Sequence, residues 1–214
     1  MSNTRVSFRA YVALVVWLTG LIWQAPQLAL ASIITDDLKS VIDQVIKIVQ
    51  DPKYKKDKAK RRAKMRSIIN PKFDYEEMGK RSLGKKDWMA RTPEERKQFI
   101  DLFGKLLENS YASKIESYQD EKIEYGDEIV KGRYAMVKTR IVRKDDTINV
   151  DYKLIRDNGQ WRVYDFVIED VSMIRNYRSQ FSKIIRKDSF QVLMDKMAKK
   201  VAELEQGGKD TDDI

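Results

Sequence analysis

Between residues 38 and 49, apolar side chains return every three or four positions (Leu38, Val41, Ile42, Val45, Ile46, Val49), which predicts an amphipathic helix with one apolar stripe. Thr35 stands where an N-cap belongs, Asp36 and Asp37 suit the positive end of the helix dipole, and Pro52 ends the element. Residues 53–66, KYKKDKAKRRAKMR, have few apolar positions and read as a basic helix opening into Ile68-Ile69, stopped by Pro71. Residues 73–83 read as a short helix with Phe73, Met78 and Leu83 apolar, closed by Gly84. Thr92-Pro93-Glu94-Glu95 combines an N-cap hydroxyl, proline at the first helical position and a glutamate three residues on, the pattern of a capping box. The helix it opens carries Phe99, Leu102, Phe103, Leu106, Leu107, Tyr111, Ile115 and Tyr118 along one side.

From about residue 121 the period changes to alternation. Ile148, Val150, Tyr152 and Leu154 interleave with Asn149, Asp151 and Lys153, as in a half-buried strand. Turn signals at Lys131-Gly132, Lys144-Asp145-Asp146 and Asp157-Asn158-Gly159 divide the region, so a four-stranded antiparallel meander is predicted over 121–169. Two amphipathic helices follow, with stripes Met173, Ile174, Tyr177, Phe181, Ile184 and Phe190, Leu193, Met194, Met197, Val201. The expected fold is α+β: a curved four-stranded antiparallel meander packed against several helices and enclosing an apolar cavity, in one domain over residues 32–206 with a frayed tail at 207–214.

Composition narrows the chemistry. Arg5 and Arg9 precede an apolar run over residues 11–23, Pro26 breaks that run, and Ala29-Leu30-Ala31 precedes Ser32. This is the pattern of a cleaved signal peptide over 1–31 and of export to the periplasm, since a spanning helix needs about 20 apolar residues. With no cysteine, the exported chain has no disulfide and no lipoprotein anchor. The net charge is +9, and removing the two arginines of the leader leaves +7, which favours anionic partners. The basic run at 53–66 is a solvated face or a contact for anionic headgroups or an acidic surface. No stacking platform interleaves with it, so no nucleic-acid partner is expected.

The absence of histidine and cysteine removes Ser-His-Asp and Cys-His catalysis and every His-built metal site. Ser82-Leu83-Gly84-Lys85 matches S-x-x-K, but no K-T-G or S-D-N accompanies it. Asp165 shares a strand face with Trp161, Val163 and Val167, where a carboxylate needs a partner, Arg96 or Arg178 being the candidates. Residues 160–168 are apolar on both faces, Tyr164, Phe166 and Ile168 forming the second. Core packing accounts for any one such residue, whereas the surplus of apolar faces suits an interior that also holds a ligand.

Two stretches resemble a known family. Residues 73–88, FDYEEMGKRSLGKKDW, with the Thr-capped helix RKQFIDLFGKLLENSYA, are similar to the first signature of the MlaC family of phospholipid-binding proteins. Residues 150–181 resemble its second signature, with Trp161, Val163, Asp165, Val171, Ser172, Asn176, Tyr177, Arg178 and Phe181 matching. The likeness spans residues 33–204. It implies a non-enzymatic, monomeric carrier with no cofactor, whose cavity sheathes the acyl chains of a phospholipid to maintain outer-membrane lipid asymmetry. Its implied partners are an outer-membrane lipoprotein–porin complex and an inner-membrane ABC transporter with an MCE-domain protein. Asp170 departs from the small residue, often glycine, that precedes Val-Ser in the family, and Asp188-Ser189 replaces a glycine between the last helices. The alternatives are a hopanoid or similar lipid as cargo, or an adaptor docking a partner helix. The lipid-binding candidates are Phe73, Met78, Phe99, Phe103, Leu106, Tyr111, Val137, Val150, Tyr152, Leu154, Trp161, Val163, Val171, Tyr177 and Phe181.

Overall fold

The computed structural model describes residues 26–206; the apolar run at 11–23 and the 207–214 tail lie outside them. Helix α1 (Pro26–Gln50) begins well before the expected cap. Proline is tolerated at the first helical position, so Pro26, read in the sequence as the break after the apolar run at 11–23, is also the first residue of this helix. Thr35 therefore lies inside α1, where its amide and hydroxyl both donate to the Glu128 carboxylate on the sheet.

The basic run divides. Asp51 accepts from the Lys53 amide and holds a single 3₁₀ turn at Pro52–Tyr54. Asp57 then accepts from the Lys60 amide and caps α2 (Lys58–Ile69). These two side-chain caps compete with a continuous helix, which is why the segment is a turn followed by a helix. A second 3₁₀ turn, Asn70–Lys72, leads to Phe73, whose backbone is extended and bridges to Val163. Helix α3 (Tyr75–Leu83) is capped by Asp74 and ends at Gly84, whose φ of 81° is accessible to glycine at no steric cost. A short helix the periodicity did not reveal, α4 (Lys85–Met89), precedes α5 (Pro93–Glu116). The capping box of α5 is present: the Glu95 amide donates to Thr92 Oγ1 at 3.1 Å and the Thr92 amide to Glu95 Oε2 at 2.8 Å.

The sheet follows as a meander in the order β1 (Lys122–Lys131), β2 (Tyr134–Val142), β3 (Thr147–Asp157), β4 (Gln160–Ile168) and β5 (Val171–Ser172), all antiparallel. The hairpins pair Lys131 with Tyr134, Val142 with Thr147 and Asp157 with Gln160, at the three predicted turns. Register shifts at Tyr125/Glu128 and Lys153/Leu154 bend the strands and curve the sheet. The fifth strand, only two residues long, pairs with Val167 and Ile168 after a turn through Glu169 and Asp170. Asp170 has φ of 63°, a left-handed conformation that explains why glycine suits this position. Helices α6 (Met173–Lys187), capped by Ser172, and α7 (Phe190–Glu205), capped by Ser189, close the fold. Among the described residues no helix is long and apolar enough to cross a membrane.

Among the described residues the apolar interior has three parts. The largest joins α3, α5, α6 and α7 around Phe99, Phe103, Tyr177 and Phe181. Phe181 meets Phe99 and Phe103 edge-on at centroid distances of 5.7 and 5.5 Å, an arrangement that the ring quadrupoles favour. A second cluster seats Ile34 and Leu38 of α1 on Ala135, Val137, Leu154 and Val163 of the sheet. A third packs Val45 and Ile48 against Tyr54 and Met65, tying the far end of α1 to α2.

Candidate lipid-binding cavity

The space between α1, α2, α5 and the curved sheet is a cavity of about 410 Å³. Helix α1 supplies Leu38, Val41, Ile42, Val45, Ile46 and Val49, one side of a helix and the stripe visible in the sequence. Helix α2 adds Met65 and Ile69, the C-terminal half of α5 adds Leu107, Tyr111, Ala112 and Ile115, and Tyr118 follows just beyond its end. The sheet contributes Ile123 of β1, Ile141 of β2, Ile148, Val150 and Tyr152 of β3, and Phe166 and Ile168 of β4. Alternation along β3 sends its even-numbered residues 148, 150 and 152 to this face. Phe73 and Tyr75 complete the wall.

Helix α5 thus divides along its length. Phe99, Phe103 and Leu106 belong to the solid core, and from Leu107 onward the helix faces the cavity. Tyr111 meets Phe166 edge-on at 4.9 Å, joining α5 to β4 at this wall.

Several polar groups on the lining are paired with each other or with residues beside it. Arg62 Nη2 lies 3.0 Å from Glu116 Oε2, and Arg61 lies 3.0 Å from the same carboxylate. Burial alone pushes the Glu116 carboxyl up, but hydrogen bonds from Arg62 and Arg61 outweigh it and hold it below the usual carboxylate value. Asn70 donates to Glu108 at 2.8 Å and accepts from the Tyr75 hydroxyl at 3.0 Å, while Arg66 approaches Glu108 at 3.8 Å. Arg143 lies 3.8 Å from Glu121. Burial pushes the Tyr152 hydroxyl up to about 12 and also raises Tyr75, so both are neutral at physiological pH. A wall of aliphatic and aromatic carbon with internally paired polar groups suits an apolar guest, since a buried polar guest would lack partners.

Of the candidates named from sequence, Phe73, Tyr111, Val150 and Tyr152 line the cavity. Met78, Phe99, Phe103, Leu106, Tyr177 and Phe181 pack in the main core, and Val137, Leu154, Trp161 and Val163 in or against the cluster under α1. Val171 is 51% exposed, on the edge strand. The α1 stripe, the α2 residues and the isoleucines of β1, β2 and β3 were not among those candidates. Their periodicity was legible, but an apolar face over a cavity has the same periodicity as one over protein.

Asp165 and Ser82 are both engaged by neighbouring groups. Asp165 accepts from the Ser172 hydroxyl at 2.7 Å and the Ile174 amide at 3.2 Å, with Lys153 Nζ at 3.2 Å. Its partners are therefore Lys153 and the cap of α6, in place of Arg96 or Arg178. Arg96 instead donates to the Trp88 carbonyl at 3.0 Å. The Ser82 hydroxyl donates to the Gly79 carbonyl at 2.9 Å in full burial, while Lys85 is exposed.

The family model described as "MlaC protein" matches residues 39–199, most of the chain. The chain belongs to the MlaC family. Within that family it is similar to the intermembrane phospholipid transport system binding protein MlaC of Haemophilus influenzae, with 29% identity over 157 residues, covering 71% of this chain and 70% of that protein. Its fold resembles the solved structure of a phospholipid-binding protein from Ralstonia solanacearum in complex with a phospholipid. That likeness has a TM-score of 0.72 at 21% identity, covering 79% of this chain and 97% of the other. The MlaC-family region runs from α1 through most of α7 and includes every element that walls the cavity.

Proposed function

We propose that this MlaC-family chain is a phospholipid-binding carrier of the periplasm, exported by a signal peptide over residues 1–31 and acting without catalysis. The observation that carries this reading is the apolar cavity between α1, α2, α5 and the sheet. Moving an acyl chain out of water gains about 0.8 kcal/mol per methylene whether it enters a bilayer or a dry protein cavity. A chain passing from bilayer to cavity exchanges one apolar surrounding for another, so loading and unloading are close to balanced. Such balance suits a carrier, whereas a cavity that held lipid far more tightly than a membrane would trap it. The relatives' described activities support phospholipid as the cargo. The donor and acceptor are an outer-membrane lipoprotein–porin complex and an inner-membrane ABC transporter with an MCE-domain protein. The lipid contacts are the α1 stripe, Met65, Ile69, the C-terminal half of α5 and the cavity face of β3.

Mass spectrometry of protein recovered from the periplasmic fraction under gentle conditions tests this reading. A phospholipid mass, confirmed by its headgroup after solvent extraction, is the expected result. A hopanoid would replace the cargo, and protein without lipid, together with a captured partner helix, would overturn the carrier reading.

A further inference from the structure

Helix α2 keeps its two kinds of cation apart. Arg61, Arg62 and Arg66 turn inward to Glu116 and Glu108, using planar forks that match carboxylates. Lys55, Lys56, Lys58, Lys60 and Lys64 are exposed, and none has an ion-pair partner among the described residues. Lys60 and Lys64 stand one helical turn apart, where like charges repel. Lys58 and Lys60 also crowd the positive end of the α2 dipole, whose first turn contains no acid. Asp57, the exposed acid among them, is engaged by the Lys60 amide. Both arrangements oppose the stability of α2, so the lysines are better explained by something outside the chain.

We infer that the exposed lysine face of α2 and of the turn before it is a docking surface for the anionic headgroups of a phospholipid bilayer. The occupant follows from what the patch lacks. A protein–protein interface centres on desolvated apolar or aromatic anchors. The exposed large hydrophobic residues (Ile33, Met89, Ile129, Val130, Tyr134 and Val171) all belong to other segments. Hydrated ammonium groups on long stems, spread over a turn and two helical turns, suit a diffuse sheet of phosphates. The inner side of the same helix supplies Met65 and Ile69 to the cavity, so docking brings a cavity wall to the lipid surface. The inference goes beyond the cargo reading and is measured by vesicle binding alone, whether or not lipid copurifies.

The test is co-sedimentation of protein from the periplasmic fraction with phosphatidylcholine vesicles containing or lacking phosphatidylglycerol. Binding is expected only with phosphatidylglycerol and is expected to vanish between about 0.05 and about 0.5 M salt, where the screening length falls severalfold. Replacing Lys55, Lys56, Lys60 and Lys64 by Gln should weaken binding by at least about twentyfold, the effect of only two of the four reaching the surface at about fivefold each. The melting temperature of this variant should be no lower than that of the wild type, because the replaced charges oppose the helix. Replacing the exposed Lys85, Lys86, Lys97 and Lys105 of α4 and α5 by Gln removes the same charge elsewhere and should leave binding within about twofold. Equal losses in both variants would reduce the effect to net charge and overturn the inference. So would absence of binding to either vesicle, which would leave an acidic protein surface as the partner for these lysines.

Discussion

The Asp165 carboxylate accepts a hydrogen bond from the Ser172 hydroxyl at 2.7 Å, and the Ser172 oxygen in turn accepts from the Arg175 amide at 3.1 Å. One side chain on β4 thereby fixes the cap of α6, and the Lys153 ammonium balances its charge from β3. Replacing Asp165 by Ala strands the Ser172 hydroxyl, the Ile174 amide and a partly buried lysine together. The expected loss is about 3 kcal/mol in urea unfolding, with Asp165→Asn retaining part of it.

Core and cavity should separate on mutation. Phe103 is fully buried between Phe99, Tyr177 and Phe181, so Phe103→Ala should cost about 4 kcal/mol. Protein that still folds should carry the wild-type amount of lipid per molecule, measured as phosphorus after extraction.

Val150 sits mid-strand on the cavity face, with apolar space in front of it. Val150→Trp fills that space without introducing charge. Copurified lipid should fall severalfold while the loss of unfolding free energy stays below the roughly 3 kcal/mol that added bulk can cost in a packed core, because the ring enters cavity space. Full lipid content in this variant would place the acyl chains elsewhere.

Glu116 joins α5 to α2 through two arginines and is held below its ordinary value of 4.5 by them. Its pKa is lowered in the folded state, so the stabilisation is complete above the unfolded value and is lost as pH falls through the folded one. Glu116→Gln should therefore cost about 2 kcal/mol near neutrality, the arginines being partly exposed. The gap from wild type should begin to narrow below pH 4.5 and close once the pH has fallen through the lowered folded value, where the wild-type carboxyl also becomes neutral. Denaturation midpoints measured across pH give both values.

Asp170 occupies a left-handed conformation that favours glycine. Asp170→Gly should relieve that strain and raise stability by roughly 0.5 kcal/mol, net of the freedom glycine gains in the unfolded chain. An unchanged or lower melting temperature would mean that the aspartate forms a compensating interaction.

Local chemistry was most legible where a side chain answers its own backbone. The Thr92–Glu95 box and the Asn158-Gly159 turn, with φ of 48° and 81°, are where the sequence places them. The same kind of chemistry misled at Thr35, whose hydroxyl is as good a cap as any but bonds Glu128, 93 residues away. Distant partners also decided Asp165, whose lysine comes from the adjacent strand instead of a helix. For the cavity, Ile42 and Phe103 look alike in sequence, each an apolar residue on a helical stripe. What separates them is whether the facing element approaches closely enough to fill the gap, a property of assembly that periodicity does not encode.

The division of α5 at Leu107 has a consequence for turnover. The rings that bind α5 to α6 and α7 lie in its first half, outside the cavity wall. Under the carrier reading proposed above, the packing that holds these helices together is therefore separate from the surface that meets the lipid, and a change in one need not disturb the other.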